Sequence, residues 1–313
     1  MRNEPLGAVP AIILLTMKPF YTIMFGASVA LLLASIVALS VWGLNLGVDF
    51  TGGSISELEF SERPTNTALS DALLALDIPA LHEVSVNPSG ERGMIIRTGQ
   101  LTEEEHQQML TGVKVAFPNA AATEIRFDSI GPVVGAELKN KSISGIVILL
   151  VAVLIYIAWM FRTLSRSLSL WAMSAGTVLG LAHDIIIPMG LFAVLGHFMG
   201  IQVTGIFVAA VLTILGYTVS DKVVIYDRVR ENLLRGSKES LADLVHRSVM
   251  QTLVRSINNT LVVILSSLSV FLFGGESIKY FALALMVGIG LGAYSSIFVA
   301  SPILVWMGKE RAR

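Results

Sequence analysis

Residues 201–226 read IQVTGIFVAAVLTILGYTVSDKVVIY, an apolar run broken near its end by a carboxylate, Asp221. At 1.5 Å rise per residue the run is long enough to cross about 30 Å of hydrocarbon. It continues into Asp227-Arg-Val-Arg-Glu-Asn232, so the span stops at a charged segment. Five more runs of this kind flank it, at Phe20–Leu46, Ile143–Phe161, Ser169–Leu195, Ser248–Phe273 and Ile278–Met307. Composition agrees: 14% of the 313 residues are charged, where soluble proteins carry about 25%. The 54% of hydrophobic residues exceeds what a soluble interior can hold, so the surplus faces lipid. A cytosolic enzyme, a secreted disulfide scaffold and a disordered protein are excluded.

The absence of cysteine removes disulfides, thiolate nucleophiles and Cys-ligated zinc. Histidines stand at 82, 106, 183, 197 and 246, never at the i, i+4 spacing of a helical metal site. No metal is assigned. The first run resembles a signal peptide in its Ala38-Leu39-Ser40, but its apolar stretch far exceeds a signal core of about 7–15 residues, so it reads as a retained anchor.

Basic residues near span ends set orientation. Arg162–Arg166 carries two bases and no acid, and the stretch 222–256 carries seven bases (Lys222 among them) against four acids. With Lys309, Arg311 and Arg313, these place both termini in the cytoplasm. Residues 47–141 then lie outside, with 14 acids against 7 bases. Their pattern reads strand Ser54–Phe60, helix Asn66–Leu76, strand Leu81–Val86, strand Met94–Arg97, helix Thr102–Phe117 and strand Glu124–Asp128, with Asn87-Pro-Ser-Gly90 as the hairpin turn. The order βαββαβ is that of a ferredoxin-like split βαβ unit. An acidic domain of this kind is a poor partner for nucleic acid. The cytoplasmic connection is 227–247, and after Gly236 the apolar positions Leu241, Leu244, Val245 and Val249 predict a short helix along the inner membrane face.

The fold class is therefore an α-helical polytopic membrane protein with six spans (1+5) and one α+β extracytoplasmic domain. The divisions fall at 1–46 (N-terminal segment and first span), 47–141, 142–307 (five-helix bundle) and 308–313 (cytoplasmic tail). The stretch Leu6–Met17 is apolar and has no assigned role.

Ionisable groups at membrane depth cost about 2.5–3.5 kcal/mol each on insertion scales. Asp184, Asp221 and Arg255 are such groups. Counted from the outer span ends, Asp221 lies roughly 30 Å in, Arg255 roughly 27 Å and Asp184 roughly 17 Å. This predicts an Asp221–Arg255 pair and separates Asp184 from Asp221 by roughly 13 Å along the normal. Thr213, Tyr217, Ser220 and Asp221 share one helical face, and Gln251, Arg255, Asn258 and Asn259 share another, giving a polar seam. A carboxylate binds its proton more tightly in a dry site and less tightly beside a cation, so movement of Arg255 would switch proton affinity at Asp221. A static ion pair holding two helices together is the alternative. His183 is a candidate relay or a packed, hydrogen-bonded group. Pro188 predicts a kink, and Gly288-x-x-x-Gly292 predicts close helix packing.

Four segments together resemble the SecF branch of the SecD/SecF protein-export family, in the RND superfamily. They are Gly47-Val-Asp-Phe-Thr-Gly-Gly53, Leu181-Ala-His-Asp184, 216–232 and Gln251-Thr-Leu-Val-Arg-Ser256. In the first, the motif residues are Gly47, Asp49, Gly52 and Gly53. The resemblance implies an RND-type bundle in the bacterial inner membrane that pairs with SecD. It implies a non-enzymatic subunit that uses the proton motive force, with protons as coupling ion and no other cofactor, to assist preprotein translocation through SecYEG. YajC and YidC are further candidate partners besides membrane lipid. Asp221 and Arg255 match the family positions linked to proton passage; Ser220, where the family often has Asn, and Asp184 complete the candidate proton-coupling set. Rival readings are an RND-type exporter half for lipids or small hydrophobic molecules, an intramembrane aspartyl protease using Asp184 and Asp221, and a passive scaffold.

Overall fold

A computed structural model of the chain describes residues 19–162, 169–236 and 239–308. The apolar stretch Leu6–Met17, Arg166, Lys238 and the basic residues from Lys309 onward lie outside the described residues. The chain divides into two units, one comprising Asn45–Ser144 with Gln202–Gly205, the other holding the remaining described helices.

The first unit is a four-stranded antiparallel sheet with two helices. Its elements are β1 (Gly53–Glu59), β2 (Ser85–Ser89), β3 (Gly93–Thr98) and β4 (Thr123–Ile130), in spatial order β2-β3-β1-β4. The helix Asn66–Leu74 follows β1 and the helix Glu103–Ala116 follows β3. This is the expected split βαβ arrangement, with two differences. The segment from Leu81 does not begin a strand: Pro79–Leu81 forms a 3-10 turn and the strand starts at Ser85. The hairpin turn falls at residues 90–92, because Pro88 sits inside β2, opposite Met94. β2 is an edge strand, where proline's missing N–H breaks no ladder bond.

Leu58, Phe60, Leu69, Leu73, Met94 and Met109 are buried in one apolar cluster between sheet and helices. Thr102 accepts a hydrogen bond from Glu105 N, while the Glu105 carboxylate accepts from Thr102 N at 2.8 Å, a reciprocal cap on the second helix. These bonds hold the Glu105 carboxyl below the usual carboxylate range. At the base, Gly52 and Gly53 have φ of 77° and 129°. A Cβ at Gly52 would lie 2.7 Å from Pro132 Cα and one at Gly53 2.6 Å from Thr98 O, so this turn admits only glycine at both positions. Gly47 N donates to Val203 O at 2.8 Å and Asp49 Oδ2 accepts from Gly205 N at 2.6 Å.

The second unit is helical. Among the described residues six helices are long and apolar enough to span a membrane. Numbered in chain order over all helices, with α2 (Val48–Thr51), α3 (Asn66–Leu74) and α4 (Glu103–Ala116) in the first unit, they are α1 (Pro19–Trp42), α5 (Pro132–Met160), α6 (Leu170–Met199), α7 (Gly205–Leu234), α8 (Leu241–Phe273) and α9 (Glu276–Ser295) continued by α10 (Ser301–Met307). A π-turn at Ser296–Ala300 joins α9 to α10. Pro302 explains it: having no N–H to offer the preceding turn, proline forces the ladder wider, and Ser301 Oγ donates to the Ser296 carbonyl at 2.7 Å. The helix predicted to lie along the inner face is not separate. Residues 241–249 are the first turns of α8, capped by Ser240, with no glycine or proline to interrupt them.

α6 is the central helix, packed by α1, α9, the π-turn and α10. About half of the apolar window of α6, α7 and the last span is buried inside the chain, against 17%, 11% and 17% for α1, α5 and α8. The outer three therefore present their apolar surface to lipid or to another chain.

Candidate functional site: a polar cluster inside the helical bundle

The bundle buries charge. Asp184 and Lys222 are both fully buried, with Lys222 Nζ 2.7 Å from Asp184 Oδ2. The other Asp184 oxygen lies 3.2 Å from His183 Nδ1, and Ser295 approaches the same carboxylate from α9. The lysine stem crosses α6 at Gly180, where a Cβ would come within 2.5 Å of Lys222 Cε. Gly180 and Asp184 stand one turn apart, so Gly180-x-x-x-Asp184 forms a trough with an anion at its end. His183 stacks on Tyr294 at 6.1 Å, and the Tyr294 hydroxyl donates to Met24 O at 2.6 Å, tying α1 to this cluster.

Asp221 has a different setting. It is 7% exposed, and its Oδ2 has no hydrogen-bond partner among the described residues. Ser256 lies beside it from α8 with its hydroxyl outside hydrogen-bonding geometry. Lys222, Arg255 and Asp184 are its charged neighbours. α7 and α8 are also joined where Asn232 Nδ2 donates to Ser248 Oγ at 2.8 Å and to Gln251 Oε1 at 3.0 Å. Gly288 and Gly292 lie where α9 meets α7. A Cβ at Gly288 would come 2.7 Å from Ile214 Cγ1 and one at Gly292 2.6 Å from Thr218 Cβ. This contact sets α9 directly against the helix carrying Asp221.

Two expectations are corrected. No ion pair closes between Asp221 and Arg255; Arg255 acts on Asp221 through space from an exposed face. And Asp184 is not separated in depth from the Asp221 level, because it touches the very next residue. The count from the span ends failed at its ends. α6 runs on to Met199, putting Asp184 15 positions from its end, and α7 starts only at Gly205, putting Asp221 16 positions from its start. Residue Lys222, grouped by sequence with the cytoplasmic bases, is the group that reasoning missed. Its signal was present in the apolar run on both sides of it and in Gly180, which leaves room for its stem.

The polar seam divides. Thr213 and Ser220 are exposed and Tyr217 is half-buried, while Gln251, Arg255, Asn258 and Asn259 are all exposed on α8. The Thr213 hydroxyl is turned back to Ala209 O at 2.8 Å. Among the described residues the seam is an open polar face next to a buried carboxylate, not an enclosed path. Asp184, held on both oxygens, is also unavailable to share a catalytic water with Asp221, as an aspartyl protease requires.

Comparison with known proteins decides the family. Residues 112–310 match the family described as protein export membrane protein SecD/SecF, C-terminal, and residues 37–62 match the SecD/SecF GG motif. The protein translocase subunit SecF of Thermobaculum terrenum is 36% identical over 299 residues, covering 91% of this chain and 92% of that one. The chain belongs to the SecF family. A second relative, the SecF subunit of Rickettsia prowazekii, is 31% identical over 99% of this chain and 96% of its own. Among solved structures, SecDF from Thermus thermophilus, described as a translocon-associated membrane protein, matches with a TM-score of 0.79 and 28% identity over 96% of this chain. A SecDF structure in a super-membrane-facing form matches with a TM-score of 0.62 and 29% identity over 91% of it. The chain spans 39% and 37% of the length of those two SecDF chains. The six spans and the four-stranded sheet are thus the SecF-like portion of an RND-type fold, and the Gly47–Gly53 turn is the GG motif of the family.

Proposed function

We propose that this chain is the SecF half of a SecDF-type complex in the bacterial inner membrane, and that it couples proton movement at Asp221 to preprotein translocation through SecYEG. The observation that carries the reading is the half-built site: a buried carboxylate with an unpaired oxygen beside an open face bearing Arg255, Gln251, Asn258 and Asn259. An arginine set against lipid costs about 2.5–3.5 kcal/mol on insertion scales, so this face calls for a polar partner. The solved SecDF chains are more than twice as long as this one, which supports SecD as the subunit that supplies the missing helices.

A buried carboxylate with an unpaired oxygen is costly when ionised. Holding a proton removes that cost, and so does the approach of a cation. A rearrangement that brings Arg255 to Asp221 expels the proton, and its withdrawal recaptures one. Each charge crossing the membrane releases about 2.3 kcal/mol per 100 mV, enough to bias a two-state rearrangement. On this reading both termini are cytoplasmic and the sheet-bearing unit faces outward, where an acidic surface suits contact with protein. Protons are the coupling ion and no other cofactor takes part.

The test is gradient-dependent export of a reporter preprotein in membranes holding the chain with its partner. With Asp221→Asn, export loses its dependence on the proton gradient while the complex still assembles. Unchanged gradient dependence would make the buried carboxylate a structural group and favour the scaffold reading.

A further inference from the structure

The two membrane carboxylates sit in opposite environments. Asp184 has a cation on one oxygen and a ring nitrogen on the other, with Ser295 close by, whereas Asp221 has a buried oxygen with no partner among the described residues. When two carboxylates share a site, such a contrast assigns different roles to them. The residue that creates the contrast is Lys222, adjacent to Asp221 in sequence but turned across Gly180 onto Asp184. Neighbours in a helix point about a quarter turn apart, and the ammonium gives its hydrogen bonds to Asp184 and the Thr218 carbonyl, so it reaches Asp221 only through space.

We infer that Lys222 is a positioning residue that divides the work between the two carboxylates, holding Asp184 as a fixed anion and leaving Asp221 as the one that exchanges protons. This rests on the proton-coupling reading of Asp221. Charge accounting supports it. The Asp184–Lys222 pair is neutral, so the cluster carries no net charge while Asp221 holds a proton and one negative charge when it does not. That single uncompensated charge is what Arg255, on the exposed face of α8, is placed to answer. Without Lys222 the cluster would hold two carboxylates and no internal cation, and two groups would compete for protons. The other titratable or charged groups near the two carboxylates are His183 on α6, Tyr217 on α7, Arg255 on α8 and Tyr294, which stacks on His183 from α9. His183 has its Nε2 buried without a partner among the described residues.

Infrared difference spectroscopy tests this on the full chain assembled with its partner subunit in membranes, by following the C=O stretch of protonated carboxyls as pH is changed. The wild type is expected to show a pH-responsive carboxylic acid band that Asp221→Asn abolishes and Asp184→Asn retains. Lys222→Met is expected to add a second band of comparable area, absent again from Lys222→Met/Asp184→Asn, while Lys222→Arg adds none. Lys222→Gln is read beside the methionine variant, so that poor assembly of one leaves the measurement standing, and the comparison of wild type with Asp184→Asn needs no lysine substitution. The inference is overturned if loss of the lysine adds no band, or if Asp184→Asn removes the wild-type band. Absence of any Asp221 band in the wild type would instead remove the proton-coupling reading beneath it.

Discussion

In the sheet-bearing unit the fully buried side chains include Leu58, Leu69, Leu73, Leu81, Met94, Ile96 and Met109, whereas in the bundle Asp184, Lys222, Thr177, Thr218 and Ser248 are fully buried beside apolar groups such as Ile214 and Val229. Apolar residues of the outer helices α5 and α8 point the other way: Ile148, Ile155, Trp159, Val262 and Phe273 are all exposed. The two regions come from one chain and obey one rule under different solvents. Water drives apolar groups inward in the first unit. Lipid accepts apolar groups at the surface, so in the second unit it is the polar groups that must find partners inside. The ionisable exception in the sheet-bearing unit, His106, fits the same logic. Its ring stacks on Phe127 at 3.6 Å while Nε2 meets Glu124 Oε1 at 2.7 Å at the edge strand, so the ring face is covered and Nε2 is answered.

The contrast can be broken most sharply at the buried ion pair. Lys222→Met leaves a charge uncompensated and is expected to destabilise the bundle by about 4 kcal/mol, while Lys222→Met/Asp184→Leu recovers most of that loss. Denaturation in detergent, followed by helical signal, measures both; a double variant no better than the single would mean the pair is not the source of the loss. In the sheet-bearing unit the equivalent wound is a cavity. Leu69→Ala is expected to cost about 3 kcal/mol, read as loss of amide-exchange protection in α3 and β3 with the bundle helices unaffected. The smallest effect lies at the α4 cap. Thr102→Ala should cost about 1 kcal/mol. Because the cap holds Glu105 below the ordinary carboxylate range, its stabilisation is present above that range and fades as pH falls through the folded value. Exchange at the start of α4, corrected for intrinsic rate, should therefore rise on acidification in the wild type and stay flat in Glu105→Gln.

Much of this architecture was legible in the sequence, for identifiable reasons. A span announces itself through some twenty apolar residues in a row, and the sheet-bearing unit through alternation, caps and the Gly52-Gly53 turn, all of which are local. Helix ends are less local. The four-residue misjudgement at each side of the α6–α7 connection came from Gly200, whose left-handed conformation ends α6, and from residues 201–204, which are apolar enough to read as helix but pair instead with the chain after the first span, Leu46 against Val203. Pro88 misled in the same way, since its place in an edge strand depends on the order of strands.

What the sequence determined by itself is which stretches are long and apolar enough to span a membrane, and that an α+β unit of four strands and two longer helices stands between the first two of them, because each follows from residue types and their spacing in a local run. What the tertiary structure alone decided is how the polar residues within those stretches are paired. Asp184 took Lys222 across the trough at Gly180, Asp221 was left with an open oxygen, and Arg255 was turned to a face that the described residues do not cover. Pairing depends on the rotation and depth of one helix against another, and those are set by close contacts such as Gly288 on Ile214 and Gly292 on Thr218, which join residues more than 70 positions apart.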